Sequence, residues 1–252
     1  MDRIKPPGLL ITGTDTEVGK TWITTLIARE LRQNGHSVGV YKPVCSGGVT
    51  NQNGATTWPD IDALAKSTGH EFPTDWICPQ RFDAPLAPPV AAKMEGRSID
   101  SRLLRTGCNN WIGQVDALLV EGVGGLLCPI SEDETVADLA ADLRYPLVIV
   151  ARAGLGTINH TLLTIEAAQR RSLPIAGLIL NQCSATHDRA IATNPDEITA
   201  RTHIPLLGTV GYGSSRLRMH GVNGTIEWFK LACDTAVVQT SSPVDNIVED
   251  RL

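Results

Sequence analysis

No two cysteines of the chain stand in a Cys-x-x-Cys spacing: Cys45, Cys78, Cys108, Cys128, Cys183 and Cys233 are scattered. That argues against a structural zinc site and fits free thiols in a reducing compartment better than a disulfide frame. His36, His70, His160, His187, His203 and His220 are equally dispersed. None sits four residues from another, as a metal pair on one helix face requires. No apolar stretch approaches the roughly 20 residues that span a bilayer. Met1 is followed by charge and two prolines in place of an apolar leader core. Dense basic runs are missing too, and 22 Lys plus Arg against 27 Asp plus Glu leave a net charge of −5. Nucleic acid and anionic membrane are therefore disfavoured as partners. No internal repeat is evident, and the expectation is a soluble, cytoplasmic protein.

What the sequence does contain begins at its first apolar run. Leu9-Leu10-Ile11 leads into Gly13-Thr14-Asp15-Thr16-Glu17-Val18-Gly19-Lys20-Thr21, and a helical pattern follows. Backbone N–H groups curling into a helix N-terminus form an anion nest. Lys20 is placed to reach terminal phosphates, and the Thr21 hydroxyl to bind magnesium. The segment reads as a phosphate-binding loop for a nucleoside triphosphate. It departs from the strict pattern in one respect: five residues, not four, separate Gly13 from Gly19, and Thr14 occupies the register of the first glycine.

At 252 residues the chain is long enough for one large α/β domain, which is the expectation here. Helical spacing of Trp22, Ile23, Leu26, Ile27 and Leu31 runs up to Asn34-Gly35. A strand is predicted at 38–41, ended by Lys42-Pro43. Residues 44–57 read as a loop, and Pro59 opens a helix carrying Ile61, Leu64 and Ala65. Residues 72–89, with five prolines, read as an ordered loop over a site. Continuous apolar runs at 116–121, 147–151 and 175–180, with a last strand at 206–210, suit a parallel sheet covered on both faces. Helices are predicted at 99–112, 136–143, 158–170, 187–202 and 226–231. This alternation implies a P-loop NTPase-like, doubly wound, mainly parallel sheet over residues 1–232. Residues 233–252 read as a weakly ordered or disordered tail.

Ligands of open parallel sheets bind beyond the carboxyl ends of the strands. Lys42 stands at such an end, as a catalytic cation or as a solvated edge charge. Asp62 lies in the first turn of a helix, where a carboxylate also complements the helix dipole. Glu121 ends an apolar strand and precedes Gly122-Val123-Gly124-Gly125, the place where nucleotide enzymes hold magnesium or position water. Asn181 carries an amide able to pair with an adenine edge, or to serve as a polar turn residue. Gly154 to Asn159 precede a helix, as an anion-binding loop or as a glycine turn with Thr157 as cap.

In combination, residues 13–21, Tyr-Lys-Pro-Val-Cys-Ser-Gly at 41–47, Asp-Ala-Leu at 62–64, Val-Glu-Gly-Val-Gly-Gly at 120–125, Gly-Thr-Ile-Asn-His-Thr-Leu-Leu-Thr at 156–164 and Asn181 resemble the dethiobiotin synthetase family. The resemblance extends from about residue 8 to 212. It implies a homodimeric ATP-dependent cyclo-ligase that uses magnesium and carbon dioxide to close the ureido ring of dethiobiotin on 7,8-diaminopelargonate, in biotin biosynthesis. A carbamate would form on one amine and attack the γ-phosphate; the second amine would then close the mixed anhydride with loss of phosphate. Carried over by position, Glu17, Val18, Gly19, Lys20, Thr21 and Trp22 would wrap the phosphates. Thr21, Asp62 and Glu121 would surround magnesium, and Lys42 would be catalytic together with Lys20. Gly122, Val123, Gly124, Asn181, Gln182, Gly211, Tyr212 and Gly213 would complete the nucleotide site, with Asn181 reading adenine. Ser46, Gly156, Thr157 and Asn159 would contact the diamine near the dimer interface. Departures from the family pattern occur at Gly211-Tyr212-Gly213, where a Pro-Trp type segment is usual, and at Pro89, where histidine is usual.

Two rivals share features of this pattern. Partitioning-type ATPase switches resemble it in fold but carry a second lysine five residues before the loop lysine, where this chain has Asp15. A small-molecule kinase is the enzymatic alternative. No Asn-Lys-x-Asp-like guanine motif occurs at any of the six lysines.

Overall fold

The computed structural model describes residues 5–185, 188–220 and 224–234. The chain opens with β1 (Gly8–Gly13), α1 (Lys20–Gln33) and β2 (Val38–Tyr41). Short elements follow: β3 (Val44–Cys45), β4 (Val49–Thr50), β5 (Thr56–Thr57), α2 (Pro59–Ser67), α3 (Thr74–Ile77), β6 (Gln80–Arg81), α4 (Pro88–Met94) and α5 (Ser101–Thr106). The remainder alternates: β7 (Ala117–Gly125), α6 (Val136–Leu143), β8 (Leu147–Arg152), α7 (Thr157–Arg170), β9 (Ile175–Asn181), α8 (Ala190–Thr199), β10 (Leu206–Val210), β11 (Arg218–Met219) and α9 (Trp228–Cys233).

Seven strands form one sheet in the order β11-β10-β9-β8-β1-β7-β2. All neighbours are parallel except β11, which runs antiparallel to β10. From β1 the chain moves through α1 to β2 at one edge. It then returns to β7 and crosses β1 to reach β8, β9 and β10 in turn. Right-handed crossovers in opposite directions put helices on opposite faces. Covered on both faces, the middle strands are buried without interruption at residues 9–11, 117–120, 147–150 and 178–180. Each such side chain is worth about 1.5–3 kcal/mol of transfer free energy, and together they hold the sheet rigid under the site.

Local chemistry sets the ends of several elements. Pro59 occupies the first turn of α2, where a missing N–H costs nothing. Thr135 and Asp138 form a reciprocal capping box at the start of α6. Asp100 accepts a hydrogen bond from Leu103 N at 2.9 Å and starts α5.

Three stretches differ from the sequence-based expectation. Residues 44–57 carry three two-residue strands, with β4 and β5 paired as a small hairpin. The proline-rich stretch 72–89 contains α3 and β6, and its last two prolines open α4. Proline is tolerated at a helix start, so a proline count alone hides such a helix. The helix predicted at 99–112 is α5 followed by a 3-10 turn, Gly107–Trp111. The predicted start of the 187–202 helix lies outside the described residues; α8 itself spans Ala190–Thr199 and contains Pro195. Of the predicted tail, residues 235–252 lie outside the described residues, while Cys233 ends α9. Among the described residues no helix is long and apolar enough to cross a membrane.

Candidate active site

The loop after β1 supplies the first half of the site. Its extra residue is absorbed by two turns into the left-handed backbone region, at Glu17 (φ 55°) and Gly19 (φ 89°). A Cβ on Gly19 would lie 2.1 Å from Asn181 Nδ2, so both backbone angle and space demand glycine there. Asn181, at the carboxyl end of β9, donates from that same amide to Val18 O at 2.9 Å. The buried Val18 side chain anchors the loop from below. Lys20 is nearly buried and donates to Asp15 O at 3.2 Å, closing the loop on itself. Burial lowers its pKa below the ordinary lysine value, partly countered by Glu121.

The second half is a cluster built on Glu121, whose side chain is completely buried on β7. Its Oε1 accepts from Thr21 Oγ1 at 2.7 Å and from Lys42 Nζ at 2.7 Å. Its Oε2 accepts from Thr24 Oγ1 at 2.8 Å. Lys42, buried just beyond β2, also donates to Asp60 Oδ2 at 2.6 Å. Burial alone would push the Lys42 ammonium toward neutrality, but Glu121 and Asp60 outweigh it and hold its pKa above the ordinary range. Asp60 responds in the opposite sense. Its partial burial would raise its pKa, yet Lys42, with help from Thr21 and Lys20, keeps it below the usual carboxylate value. Parallel register explains why these groups meet. β2 and β1 both flank β7, so the three carboxyl ends open onto one crevice.

Asp62 does not join this cluster. It is exposed, and the carboxylate that reaches Lys42 belongs to Asp60. Two residues along a helix is about 200° of rotation, so the two acids of α2 face nearly opposite directions. The resemblance implied Asp62 at the magnesium site; the carboxylate the structure brings to Lys42 and Glu121 is that of Asp60. Thr21, Asp60 and Glu121 together offer a hydroxyl and two carboxylates, hard oxygen donors of the kind magnesium takes alongside phosphate oxygens. The Thr21 proton is directed at Glu121, which leaves the hydroxyl's lone pairs for a cation. Among the described residues no group of three or more His, Cys, Asp or Glu is arranged to hold a metal.

A third set of groups lies beyond β8, β9 and β10. Register places Arg152, Asn181 and Val210 in one row at those carboxyl ends. Gln182 N donates to Val210 O at 2.9 Å, and Gln182 Oε1 accepts from Tyr212 N at 3.4 Å. Trp22 Nε1 donates to Ser214 O at 3.1 Å, drawing the exposed turn Gly211, Tyr212 and Gly213 over the first turn of α1. The glycines after Glu121 continue β7 rather than ending it. Gly124 takes φ 59°, and a Cβ there would meet Cys128 Sγ at 2.8 Å. Gly122 is buried and Val123 partly buried on the same strand.

The remaining predicted residues make local contacts of their own. Ser46 Oγ donates to Leu86 O at 2.6 Å, tying the 44–48 segment to the proline-rich stretch. Gly156 takes φ 89° before α7, Thr157 is buried with its hydroxyl 3.4 Å from that of Thr161, and Asn159 is exposed. Neither the Thr157 nor the Asn159 side chain has a hydrogen bond to the Lys42 cluster, among the described residues. The same helix does line a cavity of about 380 Å³, which His160, Leu163 and Thr164 share with Thr14, Asp15 and Leu127. Sequence reasoning missed Asp60, Thr24 and Asn194. Asn194 is buried and donates to Ala153 O at 2.8 Å and Gly154 O at 2.9 Å, fixing the loop before α7. Only the first-turn position of Asp60 was a usable signal; the other two residues act through pairings far apart in the chain.

A family profile described as AAA domain matches residues 7–215. The ATP-dependent dethiobiotin synthetase BioD of Anaeromyxobacter dehalogenans is 43% identical over 196 residues, covering 78% of this chain and 86% of that protein. The protein of the same name from Rhodopirellula baltica is 39% identical over 225 residues, covering 85% and 88%. Its counterpart from Bacillus cereus is 39% identical over 207 residues, covering 81% and 83%.

Proposed function

The chain belongs to the ATP-dependent dethiobiotin synthetase family, and from that premise we infer how its residues divide the work. The protein is an ATP-dependent ligase that forms dethiobiotin in biotin biosynthesis. The substrates are 7,8-diaminopelargonate, carbon dioxide and ATP. The observation that carries the residue assignment is the buried Lys42 ammonium, bonded to Glu121 and Asp60 beside Thr21.

Residues 17–22 wrap the triphosphate, with Lys20 as its cation. Burial lowers the Lys20 pKa, so its charged form gains most when a phosphate oxygen replaces lost solvent. Thr21, Asp60 and Glu121 would hold magnesium, which would supply neutralisation of charge on the phosphate oxygens. Lys42 acts as a fixed positive charge, not as a base. Its pKa is raised, so it stays protonated below its ordinary 10.5. Pre-aligned charge of this kind stabilises the oxygens on which negative charge develops as the carbamate meets the γ-phosphate. Asn181, Gln182 and the 211–213 turn border the nucleotide base, with Trp22 and Tyr212 as exposed aromatic surface at 41% and 59%. Ser46 contacts the diamine.

The protein works as a cytoplasmic homodimer in which Gly156, Thr157 and Asn159 complete the diamine site. Exposed leucines support this: Leu127 and Leu163, which line one cavity beside α7, are 54% and 56% accessible, and Leu155, just before α7, is 87% accessible. Light scattering of the purified protein tests the dimer. The activity is tested by supplying 7,8-diaminopelargonate, bicarbonate and Mg-ATP and measuring dethiobiotin and phosphate together. Equal amounts of the two are expected. Phosphate release that ignores the diamine would overturn the assignment in favour of an ATPase switch.

A further inference from the structure

Glu121 offers two oxygens, and a terminal carboxylate torsion is broad and nearly two-fold. Something must therefore fix the plane of the carboxylate so that one oxygen faces Thr21 and Lys42. The group in position to do so is Thr24, one turn beyond Lys20 on α1. Its side chain is fully buried, and its hydroxyl lies 2.8 Å from Glu121 Oε2 and 2.9 Å from Lys20 O. One hydroxyl has one proton for these two acceptors. The charged oxygen is the stronger acceptor, so the proton goes to Glu121. Oε1 already receives two donors, Thr21 and Lys42, and Thr24 supplies the donor that holds Oε2 on the opposite side.

We propose that Thr24 is a positioning residue that locks the plane of the Glu121 carboxylate, with one oxygen held toward Thr21 and Lys42, and so sets the affinity for the catalytic divalent cation. The inference rests on the reading of Thr21, Asp60 and Glu121 as the cation's donors. Without the Thr24 hydroxyl, Oε2 is left in a buried place without its donor. The carboxylate then rotates or draws Lys42 toward itself, and the donor set for the cation loosens. Thr25 provides the control. It is the neighbouring threonine of α1, and its hydroxyl donates to Trp22 O at 2.8 Å, away from Glu121.

The test uses the full chain and Mn2+ as the probe, titrated by electron paramagnetic resonance with a saturating nonhydrolysable ATP analogue. Thr24→Val is expected to raise the Mn2+ half-saturation about tenfold, the loss of one hydrogen bond to a charged group. Thr24→Ser keeps the hydroxyl and is expected to stay within about twofold of the natural protein, as is Thr25→Val. Should Thr24→Val fail to fold, Thr24→Ala is read against Thr24→Ser in its place. Natural Mn2+ affinity in the hydroxyl-less variant, or an equal loss in Thr25→Val, overturns the proposal. If the natural protein with the analogue bound holds Mn2+ no more tightly than the free analogue does, the reading of the cation site fails first, and this inference with it.

Discussion

The two lysines of the site sit in contrasting surroundings. Lys20 lies in a loop that closes on its own backbone, and among the described residues it forms no ion pair with a carboxylate. Lys42 is gripped by two carboxylates contributed by β7 and α2. Burial therefore pulls the first pKa down, while opposite charges push the second up. The same residue type does different work in the two places. Lys20 is a cation whose best partner is an incoming phosphate; Lys42 is a cation whose orientation and charge are fixed before any ligand arrives. On the proposed reading, one governs nucleotide affinity and the other governs turnover.

Variants can break that contrast at several points. Lys20→Ala is expected to weaken ATP binding by about ten- to hundredfold and to reduce turnover with it, measured by calorimetry and steady-state kinetics. A change in turnover alone would mean that the loop lysine does not carry affinity. The pair Asp60→Asn and Asp62→Asn sharpens the second region. Asp60→Asn should raise the magnesium half-saturation about tenfold, whereas Asp62→Asn should stay within about twofold; the reverse ranking would restore Asp62 to the site.

The smallest effect is expected outside both regions. Arg105 binds Glu134 at 2.5 Å and the exposed Asp142 at 2.6 Å. Hydrogen bonding from Arg105 holds the Glu134 pKa below its ordinary 4.5. A carboxylate with a depressed folded-state pKa contributes stability above pH 4.5 and loses it as pH falls through the folded value. Glu134→Gln should thus cost about 1 kcal/mol or less near neutrality, with the difference from the natural protein shrinking in acid. Chemical denaturation at several pH values reads this, and kinetics of either lysine should not move.

How much of this was legible follows from sequence separation. The phosphate loop is local: strand, loop and helix are contiguous, and each residue type announces its task. Lys42 and Glu121 were legible as polar residues at the ends of apolar runs, because parallel strands bring their carboxyl ends together. Asp60 was not, since choosing between two acids two positions apart requires the rotation of α2 relative to β2. Thr24 was hidden because a mid-helix threonine is unremarkable until its partner, 97 positions away, is known. The helix α4 was masked by prolines that happen to occupy its first turn. The strands of the sheet were legible as apolar runs alternating with helices, but their order appears only in the structure, and the short strands β3 to β6 carry too few residues for any period to show.

The division of labour between the lysines is tested most directly by Lys42→Ala, with ATP affinity and diamine-dependent dethiobiotin formation measured on the same preparation. The expected result is ATP affinity within a few-fold of the natural protein and turnover reduced about 10²–10³-fold, the cost of removing one pre-aligned charge. An equal loss of both would contradict the account and make Lys42 a nucleotide-binding residue.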